Sequence, residues 1–161
     1  MKKVLIVIMI CTGCGGKLSD EQRKRLHEGM ATQDIKRVTN AELQESALAY
    51  GKQVIRDIEL VDISLTKKSK IDSLSQLYHV RIYSLAPSDE LLREIEKQLV
   101  DAYVAGGGSG QVDDNLQKVG TDSLLYTRPI FKENPDGTLL FSHAIGVMMS
   151  KKVVVISMPQ P

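Results

Sequence analysis

Leu124-Leu-Tyr-Thr-Arg-Pro-Ile-Phe131, Asn134-Pro-Asp-Gly137 and Thr138-Leu-Leu-Phe-Ser-His-Ala-Ile-Gly-Val-Met-Met149 follow one another in the last third of the chain. Leu124 to Phe131 is apolar and β-prone, and Pro129 places it at a sheet edge, because proline cannot donate to a ladder. Asn134-Pro135-Asp136-Gly137 is a turn: Pro presets φ, and Gly accepts a positive φ. Thr138 to Met149 reads as the returning strand. Val153 to Met158 reads as one more strand, with Lys151-Lys152 as the turn before it. Helical patterns precede this closing antiparallel meander, so the expected class is α+β, with N-terminal helices followed by an antiparallel sheet.

Working back from the meander, Gly106-Gly-Gly-Ser-Gly110 lacks the Lys-Ser/Thr of a phosphate-binding loop and follows a helix instead of a strand, so it reads as a plain loop. Pro87-Ser88-Asp89-Glu90 is expected to open a helix whose apolar positions are Leu91, Leu92, Ile95, Leu99 and Ala102, stopped by Gly106. Tyr78 to Ile82 alternates apolar and polar, which predicts a half-buried strand with His79 and Arg81 on its outer face. Residues 62–75 read as a loop, with a short helical turn near Ile71 to Leu77.

Two capping boxes mark helix starts upstream. Ser19-x-x-Gln22 opens a polar helix running to about Val38, and Thr39-x-x-Glu42 opens a longer one. In the second, Leu43, Ala47, Tyr50, Val54, Ile58 and Val61 form one continuous stripe at helical spacing. That stripe is expected to be buried, with Lys52 and Arg56 beside it in solvent.

The N-terminus has a different purpose. Lys2-Lys3, the apolar run Val4 to Ile10 and the small residues before Cys14 have the form of an export signal, too short for a membrane span. Cys11-Thr12-Gly13-Cys14 resembles the lipobox of bacterial lipoproteins, although Cys11 stands where leucine is usual. The resemblance implies residues 1–13 as signal peptide, lipidation of Cys14, a tether over 14–18 and a single domain over 19–161. A dithiol or zinc role for Cys11-x-x-Cys14 lacks the flanking pattern or further ligands it would need. One acyl chain binds a membrane reversibly, whereas two or more make attachment stable. The expected location is therefore the bacterial cell envelope, with the domain facing the periplasm or the cell surface.

Asp122-Ser-Leu-Leu-Tyr126-Thr-Arg-Pro129-Ile130, followed by Gly146-Val-Met-Met-Ser150-Lys-Lys152-Val-Val154, resembles the Tll-type haem-PAS family. Its domains occur as periplasmic lipoproteins and as sensor-kinase inputs. The resemblance implies a PAS-like domain with a small pocket. Members with c-type haem carry Cys-x-x-Cys-His; here Gly15 follows Cys14, and the pair belongs to the signal. No covalent haem is therefore expected. His143 is the candidate axial ligand for non-covalent haem, grouped with Phe141 and Ile145 on one strand face and with Met148 or Met149 nearby in sequence. His27 and His79 read as solvated.

The charge balance is +1 over 161 residues, and losing Lys2 and Lys3 turns it slightly acidic. Without a basic cluster, nucleic acid is not an expected partner. No Gly-x-Ser-x-Gly elbow or His-Glu-x-x-His motif occurs, and Asp20-Glu21 and Asp113-Asp114 sit in solvated cap or loop positions. No catalytic set, metal site or resident cofactor is expected. The reading is a non-enzymatic, membrane-anchored sensory domain that binds a small ligand or an envelope partner, with a haem sensor or electron-transfer protein as the alternative.

Overall fold

Thr39 and Glu42 cap each other at the start of the longest helix. The Thr39 amide donates to Glu42 Oε2 at 2.8 Å, and the Glu42 amide donates to Thr39 Oγ1 at 3.2 Å. The computed structural model describes residues 19–25, 38–106 and 112–159. The chain divides into two compact units, Met1–Arg37 and Val38–Pro161. In the first, the Ser19–Gln22 box is formed and residues 20–25 are helical. The expected continuation to Val38 lies outside the described residues, as do Cys14, His27 and residues 107–111.

The second unit runs α1 (Asn40–Val61), α2 (Lys68–Leu77), β1 (Arg81–Leu85), α3 (Glu94–Gly106), β2 (Asn115–Val119), β3 (Ser123–Glu133), β4 (Leu139–Ser150) and α4 (Lys151–Ser157). All pairings are antiparallel, in the order β1-β4-β3-β2. The α+β class holds. One face of the sheet (Ile82, Leu124, Tyr126, Ile145, Val147 and Met149) shares a core with α1, α2 and α4. The other packs Leu85, Leu125 and Ala144 against Leu99, Val100 and Tyr103 of α3.

The α1 stripe is buried at Leu43, Ala47, Val54 and Ile58, with Gly51 and Ile55 added to it. Tyr50 sits at the margin: its hydroxyl donates to the Tyr78 carbonyl at 2.7 Å, and the two rings meet edge-on at 5.8 Å. The Tyr78 hydroxyl in turn donates to Asp57 Oδ2 at 2.5 Å, tying α2 to α1.

Several expectations are corrected. The turn near Ile71 is a full helix from Lys68. It ends in a Schellman arrangement, with His79 at φ 50°, its amide on the Gln76 carbonyl and the Val80 amide on the Ser75 carbonyl. Tyr78 and His79 are therefore helix-end residues, and the strand starts at Arg81. The third helix begins at Glu94 rather than Pro87, because Asp89 Oδ1 takes the Leu91 amide in a local turn. Its buried face holds Glu96, Val100 and Tyr103 beside Leu99, while Leu91 is exposed.

Val153 to Met158 is not a strand. Ser150 Oγ accepts the Val153 amide at 3.3 Å, the Lys151 amide is taken by the Asp122 carbonyl at 2.9 Å, and residues 151–157 form α4. The meander is instead completed by β2. Finally, Ile130 pairs with His143 but Phe131 pairs with Phe141, so Ser142 is a bulge. A one-residue insertion reverses the alternation of every residue beyond it. Phe141 therefore joins the α3-side cluster, while Ile145 belongs to the α1-side core.

Candidate functional site

β2 starts at Asn115, opposite Thr127 of β3, so β3 continues past the end of its neighbour. Pro129 lies in that uncovered part. β3 is interior to the sheet, yet at Pro129 its outer side is an edge, which reconciles the proline with its position. Along this edge a groove of about 630 Å³ opens between β3, α1 and the segment leading into β2. Leu48, Val112, Pro129 and Phe131 give it apolar walls, and Lys52, Arg128, Asp113 and Asp114 supply charge. An adjoining depression of about 460 Å³ shares Lys52, Asp114 and Arg128 and adds Ala49 and Arg56. Leu48, Lys52 and Arg56 stand at i, i+4 and i+8 on α1, one flank of the buried stripe.

The centre of the groove is held by a chain of polar contacts. The Tyr126 ring is fully buried, and its hydroxyl donates to Asp114 Oδ2. Burial, reinforced by that carboxylate, pushes the Tyr126 hydroxyl far above the usual tyrosine range, so it remains a donor at any physiological pH. Asp114 Oδ1 lies 3.8 Å from Arg128 Nε, and Glu59 Oε1 of α1 lies 3.2 Å from Arg128 Nη1. The guanidinium is thus braced from two elements while its side chain stays about one-third exposed (36%). Lys52, Arg56 and Asp113 are exposed and make no ion pair among the described residues.

Beneath this edge, on the α3 side, the Tyr103 hydroxyl and Thr127 Oγ1 share a buried hydrogen bond of 2.6 Å. Burial also raises the Tyr103 hydroxyl. The Tyr103 ring contacts Phe141 at 5.7 Å, and Phe141 contacts Phe131 at 5.9 Å, so the groove's aromatic wall is backed by the second core.

His143 lies elsewhere. Its Nδ1 is 3.2 Å from Ser142 Oγ, and its Nε2 is buried without a hydrogen-bond partner among the described residues. The bulge takes Phe141 off its face, so the expected trio with Ile145 does not form. Met149 lies six residues along the same strand, about 20 Å at 3.4 Å per residue, beyond the reach of one shared iron. Met148 packs in the opposite cluster. His79 is exposed, as expected.

Among the described residues no group of three or more His, Cys, Asp or Glu could hold a metal, and no helix is long and apolar enough to cross a membrane. Of the acid pairs, Asp20-Glu21 is exposed, whereas Asp114 is drawn into the groove. The sequence reading missed the groove, though Arg128 lay inside the resemblance motif and Lys52 and Arg56 stood one helical flank from the stripe. No family model matches the chain, and neither a curated protein nor a solved structure does.

Proposed function

We propose that this chain is a lipoprotein of the bacterial cell envelope, acylated on Cys14, whose PAS-like domain binds a small ligand in the Arg128 groove and performs no chemistry on it. The observation that carries this reading is the Tyr126–Asp114–Arg128–Glu59 chain, which holds one guanidinium at a solvent-accessible groove beside Lys52, unpaired among the described residues. Bracing from two elements lowers the ordering cost of a later contact, since a preorganised fork loses little freedom on binding. A four-stranded antiparallel sheet with helices on both faces supports the PAS-like layout. The export-signal pattern and the Gly13-Cys14 junction support the anchor.

The test is native mass spectrometry of the full-length protein extracted from its own membranes in detergent. The expected result is a bound small molecule that is lost in Arg128→Ala while circular dichroism stays unchanged. A ligand-free wild type, or a ligand retained by the variant, contradicts the reading.

Non-covalent haem binding is a second reading, favoured by one observation: the buried Nε2 of His143, unpartnered among the described residues. An imidazole nitrogen of that kind is a suitable iron ligand. Haemin titration separates the two readings. The groove reading expects no saturable Soret shift; a one-to-one shift abolished by His143→Ala but not by His27→Ala supports haem.

A further inference from the structure

The charges in the groove specify more than a seat. We infer that its ligand is a small zwitterion with an apolar body, such as a free aliphatic α-amino acid. This rests on the reading of the groove as a ligand site.

Two cations, Lys52 and Arg128, and two carboxylates, Asp113 and Asp114, line the groove together. A polyanion entering this balance gains from the cations but meets both carboxylates; a simple cation meets the reverse. Like-charge contacts of this kind act against the wrong partner as effectively as attraction acts for the right one. Only a ligand carrying one charge of each sign satisfies both poles.

The poles that remain available match that requirement. Arg128 lies within ion-pair range of Glu59 through Nη1 and of Asp114 through Nε, and its guanidinium makes no hydrogen bond among the described residues. With Lys52 it offers a site for a carboxylate. Asp114 accepts from the Tyr126 hydroxyl through Oδ2, and its Oδ1 lies 3.8 Å from Arg128 Nε. Asp113 is exposed and unpaired among the described residues, and can accept an ammonium group. In the same lining, Leu48, Val112 and Phe131 are apolar, which suits an aliphatic side chain better than a sugar or a second charged group.

Isothermal titration of the full-length protein in detergent tests this with three ligands of one shape. L-leucine has both charges, 4-methylpentanoate lacks the ammonium, and 3-methylbutylamine lacks the carboxylate. The remaining L-amino acids are screened alongside by thermal shift. Leucine or another aliphatic amino acid is expected to bind one-to-one, with each single-charge analogue of leucine at least about tenfold weaker, as the loss of one charge-assisted hydrogen bond implies. Asp113→Asn should abolish the preference for leucine over 4-methylpentanoate, and Arg128→Gln the preference over 3-methylbutylamine.

If 4-methylpentanoate binds as tightly as leucine and Asp113→Asn changes nothing, the zwitterion inference fails while the groove remains a ligand site. If no amino acid binds, the inference fails as well. In that case the mass-spectrometric comparison with Arg128→Ala decides separately whether the groove holds another ligand.

Discussion

The Tyr126 ring packs so closely on Gly51 that a methyl group added there would fall 2.6 Å from Tyr126 Cδ2 and 2.9 Å from Cδ1. This contact seats the buried tyrosine whose hydroxyl holds Asp114, and it joins the centre of α1 to the centre of the sheet.

Gly51→Ala therefore sets two effects against each other. Alanine in a helix interior gains about 1 kcal/mol over glycine. Forcing a methyl into a packed ring typically costs about 1–3 kcal/mol and displaces the ring or the helix. The steric cost is expected to win, lowering the urea midpoint and weakening whatever occupies the groove. A raised midpoint would show that the ring yields freely.

Ile58 and Lys52 lie on one helix and are expected to behave oppositely. Ile58 is fully buried, and truncation to alanine should cost about 2–5 kcal/mol. Lys52 is exposed, so Lys52→Ala should move the denaturation midpoint by no more than about 0.5 kcal/mol. Equal shifts would mean that the α1 face is misassigned.

Acid stability should depend on Glu96, a carboxylate buried on α3. Burial alone would raise its pKa, but Arg93 Nη2 at 2.5 Å, the Tyr83 hydroxyl at 2.6 Å and the Arg93 amide at 2.8 Å outweigh it. The carboxyl is held at about 2, against an ordinary 4.5. A depressed folded-state pKa means that the unfolded chain takes up protons first as the pH drops. The stabilisation, on the order of 3 kcal/mol, is fully present above about pH 4.5 and is lost as the pH falls towards 2. Urea midpoints at pH 7, 5 and 3 should converge for wild type and Glu96→Gln as the solution is acidified. A constant gap would assign the acid sensitivity to other groups.

The parts of the fold legible in sequence were those set by local chemistry. Thr39 and Glu42 announce α1, Asn134 to Gly137 announce the β3–β4 turn, and Pro129 marks an unpaired edge. Val153-Val-Val-Ile156 was misread because β-branched residues favour strands. There the Ser150 cap and the burial of Val154 against α1 override a propensity whose scale spans only about 1 kcal/mol per residue. The Ser142 bulge leaves no mark in composition, yet it decides which face Phe141 occupies. The groove was illegible for another reason: Lys52, Asp114 and Arg128 come from three segments that only the tertiary fold brings together, and each alone looks like ordinary surface charge.

Attachment to an envelope membrane through Cys14 is the central claim about where the protein acts, and one experiment addresses it directly. Membranes from cells expressing wild type or Cys14→Ser are washed with salt and then carbonate, and the retained protein is weighed by intact mass spectrometry. Wild type should stay with the membrane, begin at residue 14 and carry acyl mass, while Cys14→Ser should appear in the soluble envelope fraction. A Cys14→Ser protein that resists both washes, together with a wild type lacking acyl mass, would contradict lipid anchoring at Cys14.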